Sequence, residues 1–267
     1  MKRVTDRFET LAIERADDHL LIVTLNRPEV RNATNTQMGQ DLFDLWTGLY
    51  IDQQDIRCVI LTGAGDKAFC AGGDLKERNG MTDAQWHQQH ALFEQARLAL
   101  QNCPVPVIAA VNGVAFGGGL ETVMLCDFAY AARSARLALT EVRLGIMPGG
   151  TGTQMLPRHV GRARAKEIIL TARPFSAEEA LDWGLVNRVC DDATLMHEAS
   201  ETARAICANA PLSIYRARKA VDLAQEVDLA SGFAFELEAY NRLIGTEDRL
   251  EGVKAFNERR PANFKGR

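Results

Sequence analysis

The sequence predicts an α/β fold, and three observations carry that prediction. Short apolar runs alternate with longer segments whose apolar residues recur at helical spacing through the first half of the chain. Glycine-rich turns stand where runs give way to helices. From about Val160 onward the pattern is almost wholly helical. A repeated β/α rhythm is most economically folded as crossovers onto a largely parallel sheet, with the helical tail covering the core or a neighbour.

Taken in order, "FETLAIERA" and "HLLIVTLNR" read as a pair of strands, and "TNTQMGQDLFDLWTGLYID" as a helix. "IRCVILTGAG" is a buried strand. A loop with "KAFCAGGDLKER" leads to a helix from about Thr82 to Gln101. "VPVIAAVNG" gives another buried strand, "VAFGGGLETVMLCDF" a glycine-headed helix, and "DFAYAA" a further strand. The tail reads as helices over "RARAKEIILTA", "SAEEALDWG", "ATLMHEASETARAICANA", "LSIYRARKAVDLAQEV" and "LASGFAFELEAYNRLIG", interrupted by a short strand at "GLVNRVC". The amphipathic helices fit either an oligomer or a monomeric cap.

With 267 residues, 46% hydrophobic and 25% charged, the chain is long enough for a substantial core. A net charge of −4 and the lack of a basic-aromatic stripe argue against a nucleic-acid partner. "MKRVTDRFETLAIERADD" has polar alternation where a signal peptide would have an apolar stretch. No run reaches membrane length, so a cytoplasmic protein is expected. Cys58, Cys70, Cys103, Cys126, Cys190 and Cys207 are scattered, as reduced core thiols would be. His87 and His90 share a helix face without an evident third ligand, so no metal site is expected.

Three consecutive glycines at a helix start cost about 1 kcal/mol each relative to alanine, so Gly117, Gly118 and Gly119 ask for a reason. The first amides of a helix lack intrahelical partners and lie at the positive end of its dipole. Gly118 is therefore a candidate oxyanion donor; close helix-to-strand packing would use the same glycines. Glu121 lies one turn along, as a catalytic carboxylate or as a favourable first-turn acid. Glu141 follows a short apolar strand amid Leu139, Val142, Leu144 and Ile146, which would raise its pKa if it is buried. Gly73 is the candidate for a second amide, with Asp74 capping the next helix; an ordinary turn with an Asp cap predicts the same letters.

Five ordered stretches, "LNRPEVRNA", "AFCAGGDLKER", "PVPVIAAVNGVAFGGGLE", "CDFAYAARSARLALTEVRLGIMPGGTGTQMLPRHVG" and "SAEEALDWGLVNRV", span almost the whole chain. Through them it resembles the enoyl-CoA hydratase/isomerase (crotonase) family. That resemblance implies a crotonase-like spiral of repeated ββα units over residues 1–200, with a helical C-terminal region at 201–267 that joins subunits into trimers or hexamers. It implies that the amides of Gly73 and Gly118 hold a thioester oxygen and that Glu121 and Glu141 are the two catalytic glutamates. Glu121 would act mainly on water and Glu141 on the α-carbon. It implies an acyl-CoA substrate contacted by Arg31, Ala33, Ala71, Gly73, Asp74 and Leu75, with Lys265 a further candidate for its phosphates. Coenzyme A would be part of the substrate, with no separate cofactor.

The joint presence of both glutamates favours hydration; an isomerase, using one carboxylate, is the runner-up. "DLKER" and "IMPGGTGTQMLPR" look most like the 3-methylglutaconyl-CoA hydratase branch, some members of which bind AU-rich RNA. A carboxylated acyl group needs a cation deep in the pocket, and the sequence does not place Lys76 or Arg78 there. Met81, Trp86, Leu92, Phe93 and Leu98 either line an acyl pocket or fill the core.

Overall fold

The computed structural model describes residues 3–267. The chain opens with an antiparallel hairpin of β1 (Leu11–Arg15) and β2 (Leu20–Leu25), with Leu11 opposite Leu25. Helix α1 (Thr36–Ile51) follows. The Asn35 side chain accepts from the Met38 amide at 2.9 Å and so satisfies one of its free N-terminal donors. β3 (Cys58–Gly63) is buried at every position and pairs in parallel with β2, in keeping with its largely unbroken apolar run.

The next elements come as strand, short strand, helix. After β3 come β4 (Ala68–Cys70), α2 (Leu75–Arg78) and α3 (Asp83–Gln101). Then β5 (Val107–Val111), β6 (Val114–Phe116) and α4 (Gly118–Leu125) follow. After them stand β7 (Phe128–Ala132), β8 (Arg136–Ala138), α5 (Gly152–Val160) and α6 (Arg162–Thr171). β9 (Phe175–Ser176), α7 (Ala177–Asp182), β10 (Arg188–Cys190) and α8 (Leu195–Cys207) finish the core. Each turn contributes its longer strand to a six-stranded sheet, ordered β1-β2-β3-β5-β7-β10, and its short strand to a four-stranded sheet, ordered β4-β6-β8-β9. This is the spiral of ββα units.

The rhythm alone predicts one sheet, and the second is the main difference. Its strands hold only two or three residues each, too few for a period of two to register beside the turns around them. The second sheet matters for the site because β4 and β6 pair in parallel, so the glycine turns that follow each strand emerge side by side.

Helices α1 and α3 pack tightly. A Cβ on Gly39 would lie 2.5 Å from Phe93 Cε1, so a bare backbone lets α3 come this close. A capping box at Thr82 and Gln85 starts α3. All six cysteines are buried and free. Among the described residues no helix is long and apolar enough to cross a membrane.

The tail consists of α9 (Pro211–Leu223), α10 (Leu229–Ile244) and α11 (Glu247–Glu258). It buries little of itself: nothing on α9, Ala239 on α10, Asp248 and Ala255 on α11. Asp248 fastens the C-terminal segment by accepting from the amides of Lys265 and Gly266. Arg218 ties α9 to the core through Asp127 and the Cys103 carbonyl.

Candidate active site

The two glycine turns meet. A Cβ on Gly72 would lie 3.0 Å from the Phe116 carbonyl oxygen and 3.6 Å from the Gly118 nitrogen. One on Gly119 would lie 2.2 Å from the Cys70 carbonyl oxygen, so α4 starts in direct backbone contact with the end of β4. Gly117 has φ 52° and ψ −124°, a conformation that a side chain would resist. The three glycines thus answer three demands: a left-handed turn, an open amide and close packing.

Thr34 fixes the other turn. Its amide donates to Gly72 and its carbonyl accepts from Asp74, which leaves the Gly73 amide between them unused. Neither the Gly73 nor the Gly118 amide has a hydrogen-bond acceptor among the described residues. Both residues line one cleft of about 430 Å³, along with Glu121, Glu141, Arg78, Trp86, His87, His90, Phe93 and Arg97.

Glu121, in the first turn of α4, is buried. Its Oε1 accepts from the amides of Gly150 and Gly152 at 2.8 and 2.9 Å, and its Oε2 lies 3.5 Å from Arg97 Nη2. Each of these three partners offers it a donor.

Glu141 opens a short 3-10 turn, Glu141–Leu144, after β8. It is also buried, and its Oε2 has no hydrogen-bond partner among the described residues. Burial above all pushes its pKa up to about 7; its own backbone amide is the next influence and opposes this, the charge of Glu121 adds to it, and Arg97 and the Thr140 amide pull weakly the other way. Of the apolar residues near it in sequence, Leu139 is buried while Val142, Leu144 and Ile146 are exposed. The Glu141 Oε1 lies 3.0 Å from where a Cβ on Gly117 would stand. The glycine turn makes room for this carboxyl.

The two carboxyls therefore face one cleft in unlike settings: one met by two amides and a guanidinium, the other buried with one oxygen lacking a hydrogen-bond partner among the described residues. Such a pair suits simultaneous base and acid work near neutral pH.

Of the five apolar residues singled out on α3 and just before it, Trp86 and Phe93 line the cleft; Met81 is half-buried outside its lining, Leu92 packs beside Gly39 and Leu98 is exposed. A search for apolar side chains passes over the polar cleft residues of α3, His87, His90 and Arg97, of which the last two lie in line with the apolar ones. Trp86, His90, Phe93 and Arg97 are spaced by four, three and four, a single helical stripe, and that spacing is the signal that finds them. A Cβ on Gly118 would lie 2.9 Å from Arg97 Nη2, and one on Gly150 would lie 2.2 Å from its Cζ.

Among the expected coenzyme A contacts, Ala71, Gly73 and Leu75 line the cleft. Arg31 is exposed in a left-handed turn, and its carbonyl accepts from the Ala71 amide. Ala33 is buried and its carbonyl accepts from Arg27. The Asp74 carboxylate caps α2 at the amides of Lys76 and Glu77 and pairs with Arg27 at 2.9 Å, so it braces the turn. Lys265 lines a separate groove beside His19, Arg57 and Arg204.

A family model described as enoyl-CoA hydratase/isomerase matches residues 15–267. A crystal structure of an enoyl-CoA hydratase from Bacillus anthracis superposes with a TM-score of 0.95 at 42% identity, covering 97% of this chain and 100% of that one. The short-chain-enoyl-CoA hydratase of Clostridium acetobutylicum is 40% identical over 92% of this chain and 94% of its own length. The mitochondrial methylglutaconyl-CoA hydratase of Mus musculus is 36% identical over 99% of this chain and 85% of its own.

Proposed function

The chain belongs to the enoyl-CoA hydratase/isomerase family, and from that premise we propose that it is a hydro-lyase adding water across the 2,3 double bond of a 2-enoyl-CoA thioester. The observation that carries hydration over isomerisation is the unlike pair of buried carboxyls, Glu121 and Glu141, on one cleft. Isomerisation moves a proton between carbons and needs only one of them.

In this reading the thioester oxygen accepts from the amides of Gly73 and Gly118. Glu121 takes a proton from water as the water oxygen bonds to C3. The electron pair of the double bond passes toward the thioester oxygen, and Glu141 donates its proton to C2. Glu121 ends protonated and Glu141 ionised, and exchange with solvent resets both. The two amides favour the enolate-like state over the neutral thioester, which is where rate is gained. Ala71 and Leu75 with the backbone around Arg31, Ala33 and Asp74 would carry the coenzyme A portion. That portion belongs to the substrate, and the proposed chemistry draws on no separate cofactor.

Crotonyl-CoA tests this directly. Loss of its conjugated enoyl-thioester absorbance, with 3-hydroxybutyryl-CoA as product, is the expected result. Conversion of a 3-enoyl to a 2-enoyl thioester without uptake of water would favour the isomerase instead.

The tail also supports a proposal that residues 201–267 join copies of this chain into a trimer or hexamer. Leu229, Phe233, Leu237, Tyr240 and Ile244 form one exposed apolar stripe along α10, and Phe256 on α11 is 84% exposed. A contiguous stripe of this kind marks a surface that is covered in the working protein. Light scattering on the purified protein is expected to give three or six times the mass of the chain, and Phe233→Asp with Leu237→Asp to reduce it. A monomer in the unaltered protein would refute the proposal.

A further inference from the structure

Two of the six free cysteines meet. Cys58 opens β3 and Cys207 closes α8, and both address one backbone atom, the His19 carbonyl oxygen. The Cys58 amide donates to it at 3.3 Å and the Cys207 thiol at 3.5 Å. The two thiols are within hydrogen-bonding contact of each other where α8 packs on β3. Each belongs to a regular element of the core, so the fold itself holds the pair together.

Only one of them is reachable. Cys58 is wholly buried, whereas Cys207 is 7% exposed and lines a groove of about 550 Å³ between the core and the C-terminal segment. Arg57 stands in that groove. Its Nη1 donates to the Cys207 carbonyl at 3.1 Å and its Nη2 to the Phe264 carbonyl at 2.8 Å. Neither cysteine lines the cleft that holds Glu121 and Glu141.

The acidity of the two thiols is unequal in the same sense. When Cys207 loses its proton the Cys58 thiol donates to it, which holds the Cys207 pKa below the ordinary thiol value; burial and the charge of Asp17 oppose this, and Arg57 assists. The same hydrogen bond to Cys207, and then burial, pushes Cys58 up. Burial also raises Cys70, Cys103, Cys126 and Cys190. The thiol that a reagent can reach is therefore the one that ionises most readily. Its neighbour stands ready as the second thiol that closes a disulfide.

We propose that Cys58 and Cys207 form a redox modification site, oxidised by a peroxide to a disulfide that staples α8 to β3 and returned to two thiols by a dithiol reductant. The Cys207 thiolate attacks one peroxide oxygen. An S–O bond forms, the O–O bond breaks, and the departing hydroxide takes up the proton that Cys207 released and leaves as water. The Cys58 sulfur then attacks the sulfur of the resulting sulfenic acid. The S–S bond forms, the S–O bond breaks, and the Cys58 proton leaves with the hydroxyl as a second water. The two thiols lose two electrons and the peroxide gains them.

Hydrogen peroxide added to the folded protein, followed by alkylation of free thiols and tryptic digestion, reads the site directly, because peptides 58–67 and 205–216 carry one cysteine each. The intact mass is expected to fall by two hydrogen atoms, with these two peptides joined and dithiothreitol separating them. Before oxidation, limiting iodoacetamide at neutral pH is expected to label Cys207 about tenfold faster than any other cysteine.

Cys58→Ala should stop the reaction at the sulfenic acid, so that Cys207 gains one oxygen atom and is trapped by dimedone. Cys207→Ala should leave Cys58 unoxidised. The peptide map of the unaltered protein decides the matter even if either variant folds poorly. Joined peptides 58–67 and 205–216 from folded protein uphold the proposal. A disulfide that forms only in denaturant, one that joins other cysteines or two copies of the chain, oxidation of Cys207 to a sulfinic acid with Cys58 still free, or no reaction at Cys207 would each overturn it.

Discussion

Glu141→Gln is expected to lower kcat for enoyl-CoA hydration by about 1,000-fold, with butyryl-CoA affinity changed by only about threefold or less. The substitution keeps shape and burial and removes the one proton that the proposed reaction needs delivered to C2. Glutamine would present an amide where Oε2 now stands without a partner among the described residues. The effect should therefore fall on kcat rather than on binding.

The pH dependence sharpens this expectation. If Glu141 acts as the acid, kcat/KM of the unaltered enzyme falls as pH rises through about 7, and Glu141→Gln removes that limb from its residual activity. Stability runs in parallel. The folded-state pKa is raised above the ordinary value of 4.5, so the contribution of this group is fully present below about 4.5 and is lost as pH rises through about 7. The melting temperature of Glu141→Gln relative to the unaltered protein should therefore rise between pH 5 and pH 8. A difference that stays flat with pH would mean that Glu141 is not shifted, and the acid assignment would lose its physical basis.

Why one half of the site is legible in sequence and the other is not follows from the distance over which each part is built. The glycine turns can be read because a run of glycines is itself a local signal of a backbone that needs positive φ or room, as Gly117 and Gly119 do, although what Gly119 packs against, the Cys70 carbonyl, is set by the fold. The strand and helix runs are legible for the same reason, since β3 and β5 are apolar at nearly every position. What surrounds each carboxyl is not local. Glu121 is held by amides 29 and 31 residues away and by an arginine on another helix. Glu141 is buried with its Oε1 in the space that the missing side chain of Gly117 leaves, while its sequence neighbours Leu144 and Ile146 are exposed. Arg78 shows the same limit. The letters "DLKER" display a cation, and only the approach of α3 against α2 sets it over Trp86 and beside Gly73.

Glu121→Gln is expected to cost about 1,000-fold in kcat and, unlike its counterpart at Glu141, to cost about 2 kcal/mol of stability as well. The difference lies in the partners. A carboxylate accepts at both oxygens, and here two amides meet Oε1 while a guanidinium faces Oε2. A glutamine can turn its oxygen to the amides and set its NH2 against Arg97, or the reverse; either way donor meets donor. Arg97, whose side chain is only 17% exposed, would also be left without its anion. A second substitution separates the two losses. Arg97→Met added to Glu121→Gln removes the stranded cation and should return much of the stability, read as the denaturant midpoint, without returning activity. If the double variant recovers turnover along with stability, Glu121 serves to hold Arg97 in place and the base must be sought elsewhere. If stability returns while the loss in kcat persists, the carboxylate itself is what the reaction requires, with Arg97 and the amides of Gly150 and Gly152 holding it in position.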